Sequence, residues 1–237
     1  MFFDAEYAER VTLRDGTEVV VRLIRRDDKE LLRRGFLRLS AESRYRRFFA
    51  AKHDLSPSEL RYLTEVDGTH HFALGATSLD GREGLGVARF IQLDGEPGVA
   101  EAAIAVLDEH QGKGLGSLLF QRLVAAAAER GVMRFRCEML GSNQGMADLV
   151  LSLSPEAPAT AVSAGVMSME FALPHVEPEA PAGKPPRETG LYRFFGLVAK
   201  GEIEWTAAWK RLGLRFLGED ISAAARSWDG QSIDESE

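Results

Sequence analysis

The sequence predicts an α/β domain of the α+β kind, a mixed and mostly antiparallel sheet flanked by helices, followed by a helical appendage. Three strand candidates at 70–78, 85–93 and 99–107 follow one another at short intervals across the turn signals Asp80-Gly81 and Asp94-Gly95, which predicts an antiparallel meander. A run at 114–130 with Leu115, Leu118, Leu119 and Leu123 at helical spacing comes next and stops at Gly131. Five of the nine prolines (174, 178, 181, 185, 186) then separate residues 1–174 from a stretch that holds all three tryptophans.

Residues 17–24 (Thr-Glu-Val-Val-Val-Arg-Leu-Ile) read as the first strand, being rich in β-branched side chains. Asp27 or Asp28 can cap a helix carrying Leu31, Leu32, Phe36 and Leu39 on one face. Ser40 opens a second helical stretch that runs to Ala51, and Ser56-Pro57 opens a third, with Glu59 in its first turn, which Gly68 stops. After the meander and the helix at 114–130, Val132–Leu140 reads as a strand, Asn143–Leu153 as a helix and Val162–Leu173 as a last strand. Residues 175–190 form a Pro-rich linker, 191–228 a helical appendage and 229–237 an acidic tail. In the appendage Trp205, Trp209, Leu212 and Phe216 recur at spacings of three and four, a stripe that calls for a partner surface on the same chain or in a homodimer.

Composition narrows the function. A chain of 237 residues, 45% apolar and 27% charged, buries a core without staples, and its single cysteine, Cys137, excludes a disulfide framework and a thiolate zinc site. No apolar run approaches the ~18 residues of a membrane span, and Met1-Phe2-Phe3 meets Asp4 and Glu6 at once, so a cytoplasmic location is expected. The net charge of −7 opposes bulk affinity for nucleic acid. Residues 22–52 run against it, with 11 basic and 4 acidic side chains; a solvated helix face accounts for them more simply than a docking surface does. His70, His71 and His110 show no metal-ligand spacing, and no metal is expected.

Chemistry concentrates at residues 99–117, where a strand, a glycine-rich turn and a helix start follow one another. Gly112, Gly114 and Gly116 let a backbone approach an anion while unpaired N–H groups at the helix start point toward it. The spacing fits neither the nucleotide P-loop nor the dinucleotide fingerprint. A strand-to-helix turn without a ligand remains the alternative on physics alone.

Gln111-Gly-Lys-Gly-Leu-Gly116 after an apolar strand resembles the pyrophosphate-binding signature of the GNAT superfamily of N-acetyltransferases, and the element order over about residues 11–174 is that superfamily's. A narrower likeness, to bacterial protein-lysine acetyltransferases of the Pat type and their stand-alone relatives, lies in Leu39-Ser-Ala-Glu-Ser-Arg-Tyr-Arg-Arg-Phe-Phe49, Leu55-Ser, Leu63-Thr-Glu-Val-Asp67 and His71-Phe-Ala-Leu74.

The resemblance implies acetyl-CoA as cosubstrate and transfer to an amine acceptor, a protein lysine before a small molecule. It implies a strand that splays from its neighbour and pairs with the pantetheine arm through Ile104, Ala105 and Val106. It places the pyrophosphate on Gln111, Gly112, Lys113, Gly114, Leu115, Gly116 and Ser117, with Asn143 meeting the cosubstrate from the other side. A lysine amine, pKa about 10.4, is neutral in roughly one molecule in a thousand at neutral pH, so a positioned base is worth about 10²–10⁴-fold. Glu101, where Pat-like relatives carry their glutamate base, is the first candidate, and Glu138 on the adjacent strand the second.

Two departures stand out. Many superfamily members carry a Tyr, seven residues beyond the asparagine, as general acid; this chain has Val150. The usual Leu-Gly-Phe after that helix is replaced by Leu153-Ser154-Pro155. A catalytically silent acyl-CoA-binding module is therefore the competing reading.

Overall fold

The structure, a computed structural model, describes residues 2–154 and 158–173. The linker, the tryptophan stripe and the acidic tail lie outside the described residues.

The chain opens on β1 (Ala8–Thr12), which pairs antiparallel with β2 (Glu18–Leu23) across a turn in which Asp15 accepts from the Thr17 N–H and Gly16 takes φ +85°. Sequence reading missed β1. It is a half-buried edge strand whose Glu9 and Arg10 break the apolar pattern, although Asp15-Gly16 announced the turn. Its place is settled by a distant contact: Glu9 receives two hydrogen bonds from the buried Arg122 guanidinium, at 2.9 and 2.8 Å, and one from the Tyr7 hydroxyl at 2.6 Å.

Three helices follow: α1 (Lys29–Arg38), α2 (Ala41–Phe48) and α3 (Pro57–Thr64). Ser40 caps α2 by accepting the Ser43 N–H, and Ser56 with Glu59 forms a reciprocal capping box on α3. α2 stops before the expected Ala51 because Phe49 turns left-handed, at φ 54°. Asp28 does stand at the start of α1, but its carboxylate does not cap the helix. It is buried, accepts from Arg22 at 2.7 and 2.6 Å and from the Arg25 N–H at 2.7 Å, and these bonds hold its pKa down against the cost of burial.

The meander forms as expected: β3 (His71–Thr77), β4 (Gly84–Gln92) and β5 (Val99–Val106) pair antiparallel in succession. α4 (Leu115–Ala128) crosses back and delivers β6 (Arg134–Leu140) parallel to β5, and α5 (Gln144–Leu153) follows, capped by Asn143. The expected strand over 162–173 is a hairpin instead, β7 (Ala159–Ser163) and β8 (Val166–Ala172). Ala164 and Gly165 both take positive φ between them, the geometry of a two-residue hairpin turn, which an Ala-Gly pair signals weakly. The eight-stranded sheet has the order β1-β2-β3-β4-β5-β6-β8-β7, antiparallel except at β5/β6.

Period two along the strands assigns the faces. Phe72, Leu74, Ala88, Phe90, Ala100 and Phe135 are fully buried together with Leu115, Leu119, Phe120 and Leu123 of α4. Each large apolar side chain so buried is worth about 1.5–3 kcal/mol. A smaller cluster of Phe36, Leu39, Leu55, Leu63 and Leu107 seats α1 and α3. No helix among the described residues is long and apolar enough to cross a membrane.

Candidate active site

β5 keeps β4 along its whole length, from Ala100↔Gln92 to Val106↔Gly86, but keeps β6 only at Val99, Ala100 and Glu101. Beyond Glu101 one edge of Ala102–Val106 has no strand beside it, which leaves backbone donors and acceptors along a ladder that a linear amide can complete. Gln111 Nε2 donates to the Val106 carbonyl at 3.0 Å and closes the far end of that edge. A cleft of ≈ 650 Å³ occupies the gap, and Glu101, Ile104, Ala105, Val106, Gln111, Gly112, Gly114, Gly116, Ser117, Glu138 and Asn143 all line it.

At the mouth of the gap Gly112 and Gly114 take φ +72° and +91°, so the chain turns sharply enough to start α4 facing the cleft. No side chain caps α4; the first in-helix bond is from Leu118 N–H to the Gly114 carbonyl. The N–H groups at Leu115, Gly116 and Ser117 are thus left for an anion. Lys113 and Leu115 serve this turn through their backbone only, because the Lys113 ammonium pairs with Asp15 at 3.0 Å and the Leu115 side chain is fully buried in the core. The β1–β2 turn is tied to the same loop, with the Arg14 N–H donating to the Lys113 carbonyl and the Arg14 side chain lying against Gly114.

Asn143 accepts the Met146 N–H while lining the opposite wall, and Gly145, Met146 and Leu149 continue it. Val150, on the same helix, is fully buried, so neither a hydroxyl nor an opening toward the cleft exists at that position. Glu101 and Glu138 are exposed to the cleft, and neither carboxylate has a hydrogen-bond or ion-pair partner among the described residues. Cys137 is buried in the core, where desolvation and the Glu101 charge push its thiol up, so it offers no thiolate to carry an acyl group.

Sequence reading missed the wall formed by Arg14 and by Ser43, Arg46, Arg47 and Phe49, which line the cleft from the β1–β2 turn and from α2. The signal existed: the α2 residues sit inside the segment that carries the Pat likeness. Asp108 locks α2 in place by accepting from the Ser40 N–H and from the Ser40 and Ser43 hydroxyls at 2.7–2.9 Å.

Below α3, Arg89 Nη1 donates to His71 Nε2 at 3.1 Å, and Tyr62 packs on the imidazole at 5.0 Å. Burial and the Arg89 charge push His71 down to about 4. His71 therefore stays neutral in the fold but takes a proton in the unfolded chain below about 6.5, and its contribution to stability is full above that value and is lost as pH falls toward 4. His71→Gln keeps an acceptor for Arg89, and the fall in its thermal midpoint between pH 7 and pH 4.5 is expected to be smaller than that of the parent. A parallel fall would show that protonation of His71 does not drive the acid loss.

The model of the acetyltransferase (GNAT) family matches residues 30–150, more than half of the chain, from α1 into α5. The chain belongs to that family. As a GNAT enzyme it is an acetyl-CoA-dependent N-acetyltransferase. It is 30% identical over 144 residues to acetyltransferase PA5475 of Pseudomonas aeruginosa, covering 60% of this chain and 77% of that one. It is 34% identical over 143 residues to acetyltransferase Pat of Mycolicibacterium smegmatis, covering 57% of this chain but only 40% of Pat. The crystal structure of the GNAT domain of S. lividans PAT superposes with a TM-score of 0.65 at 32% identity, over 72% of this chain and 99% of that domain. Among the described residues no group of three or more His, Cys, Asp or Glu side chains is placed to hold a metal ion.

Proposed function

We propose that this GNAT enzyme transfers acetyl from acetyl-CoA to the primary amine of a protein lysine by direct attack, with Glu101 as general base. The observation that carries the reading is the place of Glu101, unpaired and open to the cleft at the last residue where β5 still holds β6. The free edge of Ile104, Ala105 and Val106 suits the amides of a pantetheine arm, and the turn from Gln111 to Ser117 suits a pyrophosphate, with Asn143 facing both. The preference for a protein lysine rests on the likeness to Pat over the shared domain.

In this reading an acceptor ammonium gives its proton to Glu101, directly or through one water, and the nitrogen lone pair attacks the thioester carbonyl. The carbon–sulfur bond then breaks and the thiolate, of low basicity, leaves and receives through water the proton that the acylated nitrogen sheds, which makes a hydroxyl at position 150 dispensable. The buried Val150 also favours a second reading, an acyl-CoA-binding module without turnover. Titration with acetyl-CoA followed by a thiol-release assay with lysine peptides separates the two. Binding with acceptor-dependent thiol release is expected; binding without release would leave the silent module, and no binding would remove both.

A further inference from the structure

Most basic side chains of residues 22–52 are paired, among them Arg22 with Asp28, Arg33 with Asp54, Arg38 with Glu83 and Glu109, Arg46 with Glu42 and Lys52 with Glu59. Arg47 and, on β4, Arg89 depart from this pattern, as does Arg14 beside the glycine turn. Arg47, near the end of α2, lines the cleft and also the apolar cavity of ≈ 80 Å³ beneath α1 and α2. Its guanidinium lies over the Phe48 ring at 5.1 Å and has no ion-pair partner among the described residues. Arg89, on β4, lines that inner cavity, is 4% exposed, and donates only to neutral acceptors, His71 Nε2 at 3.1 Å and the Leu63 carbonyl at 3.2 Å.

The two cations feel one another. Burial, and next the Arg47 charge, push Arg89 down to about 9, and burial likewise lowers Arg47. Leaving a buried charge without a counterion costs several kcal/mol. Sheet register puts Glu101 on the same face, since Glu101 opposes Ile91 while Ala103 opposes Arg89, and its charge acts on Arg47 without closing an ion pair. One carboxylate thus acts on Arg47 and shares a sheet face with Arg89, and that carboxylate is the one the proposed chemistry needs for the amine.

We propose that Arg47, backed by Arg89, is an anion subsite for the acceptor, so that the amine acetylated carries a carboxylate close by. The inference rests on the functional reading above. With the amine at Glu101 and the carboxylate at Arg47, both of these charges gain a partner when the acceptor is bound. Such a carboxylate can belong to an Asp or Glu beside a lysine in a protein or to a small amino acid.

Two matched pairs of acceptors test it, each differing in one negative charge: capped peptides with a central lysine flanked by Glu or by Gln, and Nα-acetyl-lysine or its amide. In the full-length chain the charged member of at least one pair is expected to show a kcat/KM about 10–100-fold higher, mostly through KM, the range of a charge-assisted hydrogen bond. Arg47→Gln should bring that ratio close to one, and Arg47→Lys, which keeps the charge, should retain most of it. A preference confined to the peptides identifies an acidic neighbour, and one confined to Nα-acetyl-lysine a free carboxylate. Ratios near one or inverted in both pairs, or a ratio that Arg47→Gln leaves intact, would each overturn the subsite. Failure of the parent chain to bind acetyl-CoA, or binding without transfer to any of the four, would instead overturn the functional reading and the subsite with it.

Discussion

Replacing Glu101 with glutamine is expected to lower turnover by about 10²–10⁴-fold at neutral pH while acetyl-CoA binds nearly as before. The side chain keeps its size and loses its charge and its ability to take a proton. Its carboxylate has no hydrogen bond or ion pair among the described residues, so the substitution breaks no such contact, and the pH dependence separates the lost base from the lost charge near Arg47. The proposed mechanism also fixes the pH dependence. As pH rises toward the lysine pKa of about 10.4 more acceptor arrives neutral, and the gap between parent and variant must narrow. Steady-state kinetics across that range is the measurement, with Glu138→Gln in parallel. A Glu101→Gln enzyme of parental rate would transfer the role to Glu138 or to water.

Gly114→Glu should weaken acetyl-CoA binding by about 100-fold or more, for three reasons that act at one point. At φ +91° a residue with a Cβ is strained, by about 1–2 kcal/mol. The new Cβ would lie in ordinary contact, 3.4 Å from Arg14 Nε, so the rest of the glutamate side chain has to find room beside Arg14. The added carboxylate can itself take the free N–H groups at the start of α4 and repels a pyrophosphate that needs them. Gly114→Ala carries the strain without the charge and is expected to lose much less. Calorimetric titration of the three proteins with acetyl-CoA decides the point; an unchanged affinity in Gly114→Glu would move the pyrophosphate elsewhere.

Much of this architecture was legible without coordinates where the signal is local. The α3 capping box is a contact between residues three apart, the meander follows from closely spaced strand candidates and Asp-Gly turns, and the glycine turn before α4 announces itself by spacing. The edge strand β1 and the split of the last strand into β7 and β8 were not legible. One is held by Arg122 across the molecule and the other turns on an Ala-Gly pair. Asp28 shows the same limit within six residues: it has the chemistry of a helix cap, but Arg22 offers two charged hydrogen bonds where the helix offers one.

Residue types and their spacing by themselves determined most of the elements and the anion-ready turn at 111–117, and the resemblance to the GNAT family singled out Glu101 and Glu138. Only the tertiary structure decided that β6 leaves β5 after Glu101, that Arg14 lies against Gly114, and that Arg47 meets Arg89 with no carboxylate closing either. The reason is physical. Caps, turns and periodicity are energies of neighbours along the chain, whereas the opening of a cleft and the pairing of charges depend on which distant segments packing brings together, and nothing in the spacing of Arg47 and Arg89 encodes that they share a wall.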